Sequence, residues 1–478
     1  MKSRIGIFVV FLAVSTLALG MLGMISTVAS AQEIMVNAIP ERSEKPLPLY
    51  GINTMNTKGP PWSDKSFRDM AASLHFKIAR YPGGNIAELW DWRKGWFVDT
   101  DAQGQIGGFT MPDNFRTMKY SPSGFPEFKM LVDETHCDAV FVLNMVTRNL
   151  DDQIEMLKYA QSIGIPIKWV ELGNEYNNTG SAGRKKYVLP QDYGTTSRNW
   201  ITAIKEHFPN AKIAVIGGNR QSPSLKDWNS IVLTEAPNAD AIVAHLYPFP
   251  SKVLDSNGIN YEKLFSAFKE DYDRQGFNAV NKNIWITEYN IHWAYVPNVE
   301  PTQRKIIQQY AFTWGQALAI ILMTSEATTI TGAVPPQMIV EHGISNWENF
   351  AAIQTYSGPL RILPAGMGYK AWADASNNKT SLRQIHFQIS ANGYANDFDL
   401  LGWQFNSPQS GNTSLLVNFT SNPISVDVSA LGETAKTYYD VKHADKNKLI
   451  NSDADVISER IAVTNHKIQL PPYSIATL

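Results

Sequence analysis

A single cysteine, Cys137, occurs among the 478 residues, so no disulfide can form within the chain and a cross-linked secreted mini-scaffold is excluded. It lies at the entry to the apolar run THCDAVFVLNM, where a buried small side chain is expected rather than a catalytic thiol. A dominant charge is missing too. Lys and Arg number 42 against 44 Asp and Glu, a formal net charge of -2, which leaves no basic field for nucleic acid and no polybasic stretch for an anionic membrane surface. No G-x-G-x-x-G or G-x-x-x-x-G-K-S/T turn follows the first strand, which removes the main support for a nucleotide-binding open sheet. The nine His form no His-x-x-x-His pair, so neither a metal nor another cofactor is called for.

What is present begins with a leader. Lys2 and Arg4 precede a long apolar run, Ile5 to Val28, which ends in Ala29-Ser30-Ala31, the small-x-small form of a signal-peptidase site. Residues 1–31 are therefore expected to be a signal peptide, with an uncleaved membrane anchor as the alternative. The rest of the chain is expected to be secreted, periplasmic or extracellular.

The remainder has the composition of an ordinary globular protein, 44% hydrophobic and 18% charged, with length for about two to three domains. Short apolar strands alternate with helical patterns: LPLYGIN, FKIARYPGG, AVFVLNM, IKWVELGNE, KIAVIGGN, AIVAHLYPF, IWITEYNIH and MIVEHGISNW. Strands this continuously apolar need both faces covered, which predicts a (β/α)₈ barrel over 47–380, with a doubly wound open sheet as the alternative. The apolar stretch 311–323 is too short to span a membrane and is expected to be a core helix. From Leu382 the texture changes to short alternating strands broken by turn residues, an all-β sandwich over 381–478. The strand within 32–46 has no place in the barrel count and is expected to join that sandwich.

A barrel of this kind builds its active site at the C-terminal strand ends, and here those ends are polar: Arg80, Asn144, Asn174 and Glu175, His245 and Tyr247, Glu288, and Trp347 near strand 8. Each alone could be a rim ion pair, a turn former or a satisfied core histidine. Jointly, Glu175 after strand 4 and Glu288 on strand 7 are placed to face one another across the barrel mouth. Such a carboxylate pair suits glycoside hydrolysis: a protonated acid with a raised pKa, and an ionised nucleophile that needs donors such as Arg80 and Tyr247.

WVELGNE followed by IWITEYN resembles the acid/base and nucleophile strands of the clan A retaining glycoside hydrolases. RYPGGNIAELWDWR, residues 80–93, is similar to the strand-2 motif of the α-L-arabinofuranosidases in that clan, and AHLYPF resembles their strand-6 His-x-Tyr. The resemblance covers roughly residues 47 to 360. It implies Glu175 as acid/base, Glu288 as nucleophile, Asn174 on the sugar 2-hydroxyl, Tyr247 orienting Glu288 and Arg80 supporting the site from beneath. β-Glucuronidases, heparanase-like enzymes, β-xylosidases and endoglucanases share similar layouts, so the sugar stays open. An endo-acting glucanase or xylanase and a non-catalytic carbohydrate-binding scaffold are the alternatives.

Thirteen Trp offer stacking surfaces for sugar C–H faces. Trp62, Trp90, Trp92, Trp96, Trp293 and Trp347 fall in predicted active-face segments, and Trp92 and Trp347 are taken as substrate-binding candidates with His245 and Asn144. Three cations, Arg184, Lys185 and Lys186, follow strand 4; they fit either a solvated loop or recognition of an acidic sugar. Asn177 opens an Asn-x-Ser/Thr site, and a glycan there would crowd Glu175. Tyr176, Asn177 and Asn178 depart from the arabinofuranosidase pattern and are expected to mark substrate choice. The expected partner is a carbohydrate, with no nucleic acid and no membrane partner beyond the leader; oligomeric state is not readable.

Overall fold

Period-two alternation decides which side of each strand faces which core, and the protein uses it to build a closed barrel. The computed structural model describes residues 34–478 except 107, 118–122, 179, 250–251, 253, 256–257, 260, 292–335, 346–350, 356–357, 390–392, 395–399, 433–436 and 445–452. The leader, the stretch 311–323, Trp293 and Trp347 lie outside the described residues.

Eight parallel strands close on themselves in chain order: β1 (Leu49–Asn53), β2 (Ile78–Tyr81), β3 (Asp138–Val142), β4 (Trp169–Glu171), β5 (Lys212–Ile216), β6 (Ala241–Leu246), β7 (Asn283–Tyr289) and β8 (Met338–Glu341). This is the barrel expected from the apolar runs, and the open-sheet alternative falls away. Ile78, Val140, Ala214, Ala241, Val243, Trp285, Met338 and Val340 form a separate interior core. Residues of the other parity, such as Ile52, Ala79, Phe141, Val170, Ile242 and Ile339, pack outward in the large core shared with the helices. Two residues above the interior core the same inward positions turn polar: Arg80 above Ile78, His245 above Val243, Thr287 above Trp285 and His342 above Val340. The barrel is thus an apolar plug with a polar layer at its C-terminal mouth.

One irregularity matters for that layer. The β6–β7 register slips between Ala244 and His245, so that Ala244 pairs with Ile286 but His245 pairs with Glu288. The extra residue, Thr287, is a bulge that re-aims the strand. It brings the hydroxyl of Thr287 to His245 at 3.2 Å and the carboxylate of Glu288, one residue on, into the mouth.

The C-terminal strands form an eleven-stranded sheet together with Ile34–Pro40 and Lys45–Pro46. The long strand Ser381–Ile389 joins its two halves: Ser381 to Gln384 pair with Trp403 to Asn406, while Ile385 to Ile389 pair with Val36 to Pro40. Val36, Phe387, Leu416, Val426, Val441 and Ile468 fill the space between the halves. On the opposite face Trp403 and Phe405 meet Trp372 of the helix Pro364–Ser376, at ring separations of 5.8 and 4.9 Å. That burial fastens the β domain to the barrel.

Candidate active site

Arg80 is the hub of the polar layer. It is fully buried, and a buried guanidinium persists only when its donors are met by acceptors of opposite charge. Nε bonds Glu171 Oε2 at 2.9 Å, Nη1 bonds Asn53 Oδ1 at 3.0 Å and Glu288 Oε1 at 2.8 Å, and Nη2 bonds Asn174 Oδ1 at 2.8 Å. One cation therefore holds the end of β7 and the segment after β4 in fixed relation. Asn174 donates onward to Asn85 Oδ1 at 2.8 Å, so its amide orientation is set from both sides.

Glu288 receives a second donor on its other oxygen, Tyr247 Oη at 2.7 Å. Burial opposes ionisation of Glu288, but the charges of His245, Arg80 and His342 outweigh it, and its pKa lies below the ordinary carboxylate value. It stands as a carboxylate with both oxygens oriented. Tyr247 in turn bonds His342 Nδ1, a contact not anticipated from the sequence, although His342 continues the inward Met338, Val340 alternation.

Glu175 lies beyond the end of β4, in a tight segment where Gly173 (φ 90°) and Glu175 itself (φ 50°) take left-handed backbone. Its Oε1 meets His245 Nδ1 at 2.9 Å and its Oε2 meets Asn178 Nδ2 at 3.3 Å. Burial would raise its pKa, yet the hydrogen bond and charge of His245, with Arg220 and Asn178, lower it to about 2. The raised proton affinity expected of an acid is therefore not what this geometry gives; His245 holds Glu175 ionised. One atom each of Glu175, His245 and Glu288 lie within 4.8 Å of one another. These three are also the group that could ligate a cation among the described residues.

The segment after β4 is built on packing and paired backbone groups. Tyr176 is buried, stacked on Tyr187 at 5.2 Å, in space left by Gly173 and Gly183, where a Cβ would come within 2.3 and 1.9 Å of its ring and hydroxyl atoms. Asn177 is buried, and its amide donates to the carbonyls of Gly217 and Gly218 at 2.7 and 2.6 Å, which occupies the nitrogen a glycan would need. Of the three residues expected to mark substrate choice, only Asn178 reaches the carboxylates. Beneath the segment, Glu88 accepts from Ser181 Oγ at 2.6 Å and from the Gly183 N–H at 3.3 Å, and burial pushes its carboxyl up to about 8.

Other candidates are placed elsewhere. Asn144 spends its side chain on Trp90 O, Thr147 and the amides of Val146 and Thr147, so it organises a turn and has no valence left for a sugar. Trp92 packs on Phe125 and Tyr159 with the Arg93 guanidinium 4.2 Å over its ring. Its apolar area is used between helices and is not offered to a ligand beside the carboxylates. Trp62 is fully buried against Phe67 and Trp90 bonds Tyr81. Arg184 bonds the carbonyls of Tyr187 and Val188, and Lys186 those of Met145 and Val146; these two cations cap backbone carbonyls. Asn53, Asn85, Glu171, Thr287 and His342 join the site without having been singled out by sequence.

The parallel eight-stranded barrel with a trailing β domain is a fold shared with solved glycoside hydrolase structures of families 51 and 30. No protein-family model matches the chain. Among solved structures it is similar to a family 51 α-L-arabinofuranosidase from Bifidobacterium longum, with TM-score 0.64, 16% identity, 92% of this chain and 98% of that one covered. The family 51 arabinofuranosidase from Xanthomonas axonopodis pv. citri gives TM-score 0.65, 14% identity, and 93% and 99% coverage. A 4-O-α-L-rhamnosyl-β-D-glucuronidase from Fusarium oxysporum matches at TM-score 0.53, 11% identity, and 93% and 99% coverage. In sequence, 202 residues are 23% identical to an intracellular exo-α-(1→5)-L-arabinofuranosidase of Acetivibrio thermocellus, a match spanning 38% of this chain and 38% of that relative's length.

Proposed function

We propose that this protein is an exported retaining glycoside hydrolase acting on a poly- or oligosaccharide by double displacement. The observation that carries the reading is the facing of Glu175 and Glu288, with oxygens within 4.8 Å. Carboxylates this close favour the retaining arrangement, with carboxyl groups roughly 5–5.5 Å apart, over the inverting one at roughly 6.5–9.5 Å. In the first half-reaction Glu288 attacks the anomeric carbon and forms an ester, the bond to the leaving oxygen breaks, and Glu175 gives that oxygen a proton. In the second, Glu175 takes a proton from water as it attacks the same carbon and releases Glu288. Arg80 and Tyr247 keep the nucleophile ionised and aimed, while Asn174 is oriented to meet the 2-hydroxyl.

His245 keeps Glu175 ionised, so sugar binding must restore its proton. Exclusion of water by the substrate does this, because desolvation disfavours the carboxylate. An arabinofuranoside is the favoured glycone: the sequence match is to an arabinofuranosidase, and the family 51 structures match at 0.64 and 0.65 against 0.53 for the glucuronidase. Export rests on the Lys2–Ala31 leader.

A panel of aryl glycosides and polysaccharides, with Glu288→Gln as control, tests the reading. Turnover of an α-L-arabinofuranoside, abolished in the variant, with product first appearing in the retained anomeric configuration by NMR, is the expected result. Full activity in Glu288→Gln, or inverted product, would overturn it.

A further inference from the structure

The clamp made by Asn177 has a second consequence, because the backbone it grips leads directly to an arginine that the mechanism does not use. The loop after β5 is held from both sides: Asn177 bonds the Gly217 and Gly218 carbonyls, Asn229 Oδ1 accepts from the Gly218 N–H at 2.6 Å, and the Asn219 N–H donates to Gln275 O at 2.9 Å. Arg220 follows at once, with its own N–H fixed to Leu225 O at 3.1 Å. It is thus mounted rigidly on the C-terminal face of the barrel beside Glu175.

Its side chain is half-buried, and Nε is buried with no hydrogen-bond partner among the described residues. Glu175 is too far to pair with it, although close enough to feel its charge. Asp271, the other nearby carboxylate, is already taken, with one oxygen on Arg274 and the other on the Tyr247 N–H at 3.0 Å. A guanidinium carries five N–H donors in a planar fork suited to oxyanions, and here it is held in place with its buried Nε unmatched by any acceptor among the described residues. Unpaired, partly desolvated donors are costly until a partner arrives.

The side of the mouth it occupies is also defined. Glu288 and Asn174 are gripped from β2 and the segment after it, by Arg80 and Asn85, and from the end of β6, by Tyr247. Arg220 follows β5, on the loop that Asn177, two residues past Glu175, bonds directly, and its charge acts on Glu175, whereas the cations that act most on Glu288 are His245, Arg80 and His342. Glu175 protonates the departing oxygen, so a group beside it and away from the nucleophile faces the leaving group.

We propose that Arg220 binds an anionic substituent, a carboxylate or a sulfate ester, on the sugar unit of the leaving-group side, and so selects an acidic polysaccharide as substrate. The proposal rests on the glycosidase reading above. It also supplies part of what Glu175 lacks: an anion seated on Arg220 cancels a positive charge that otherwise favours the ionised carboxyl, so the correct substrate helps to load its own acid.

The test compares three oligosaccharides with the same glycone: one whose leaving-group unit is a uronate, its carboxyl-reduced neutral form, and a sulfated neutral form. The wild-type protein is expected to favour at least one anionic form in kcat/KM by about tenfold or more, the range of a charge-assisted hydrogen bond. The preferred form identifies the anion. Arg220→Gln is expected to bring the anionic-to-neutral ratio close to one, Arg220→Lys to retain part of it, and added salt to lower it in the wild type. Absence of any anionic preference in the wild type, or an undiminished ratio in Arg220→Gln, would overturn the proposal. An equal loss on neutral and anionic substrates would overturn it as well, since Arg220 would then only position Glu175. If no substrate turns over, the glycosidase reading fails by itself. Calorimetric binding of the same oligosaccharides to wild type and Arg220→Gln then decides the arginine's role, and equal affinities refute it.

Discussion

Replacing Glu88 by Gln should make the protein progressively more stable than the wild type as pH rises from the ordinary carboxylate value towards about 8. Glu88 sits in the turn Gly84–Leu89, buried beneath the segment that carries Glu175, and its carboxyl is held up to about 8 against an ordinary 4.5, chiefly by burial. Below the ordinary value it is protonated in both folded and unfolded chains and contributes no pH dependence. Between the two values the unfolded chain releases the proton and the folded chain keeps it, so stability must fall as pH rises. The slope is about 1.4 kcal/mol per pH unit, and the whole window amounts to about 5 kcal/mol. Above about 8 the slope from this group vanishes.

Gln mimics the protonated acid. Its oxygen can accept from the Gly183 N–H, and its nitrogen can donate to Ser181 Oγ, whose hydroxyl then turns to the Asn174 carbonyl 3.4 Å away. Urea unfolding of both proteins at pH 5, 6, 7 and 8, followed by tryptophan fluorescence, reads the difference in midpoint. The variant should gain on the wild type at each step and level off beyond pH 8. A difference that stays constant from pH 5 to 8 would refute the claim that Glu88 is buried as the neutral acid.

Removing the phenol in Tyr247→Phe deletes the 2.7 Å hydrogen bond to Glu288. Loss of a bond to a charged group, about 1.5–3 kcal/mol, should lower kcat/KM by about 10- to 150-fold. The Glu288 pKa then rises, so the acid limb of the pH–rate profile should move to higher pH; an unmoved limb counts against Tyr247 as the donor. Glu175→Ala should spare aryl glycosides with good leaving groups far more than natural linkages, because a good leaving group hardly needs the acid; equal losses on both would remove Glu175 from that role. Gly183→Ala should destabilise by about 1–3 kcal/mol in denaturant unfolding, since the new Cβ meets the Tyr176 ring at 1.9 Å.

The eight barrel strands were legible because each is a short apolar run bounded by turn residues, and continuous burial on both faces leaves few architectures to choose from. The texture change near Leu382 was legible for the same kind of reason, since alternation with frequent turns belongs to antiparallel sheets. Arg80, Asn174, His245, Tyr247 and Glu288 could be singled out because polar residues ending apolar strands have no cheaper explanation than a shared mouth. Asn144 and Trp92 met the same criterion, yet their partners, Thr147 in one case and Arg93 with Tyr159 in the other, are set by loop conformation and helix packing. Residue type and strand position carry no trace of either.

The amino-acid order by itself determined the parity of each strand, and hence which side chains point into the barrel, because side-chain direction alternates with every residue. It also placed Glu175 and Glu288 at the strand ends where chemistry can occur. Only the tertiary structure decided their electrical state. The one-residue slip at Thr287, the seating of Arg80 among Glu171, Glu288 and Asn174, and the approach of His245 to Glu175 are relations between segments distant in sequence. Charge interactions vary with distance and burial, quantities that exist only once the chain has closed on itself.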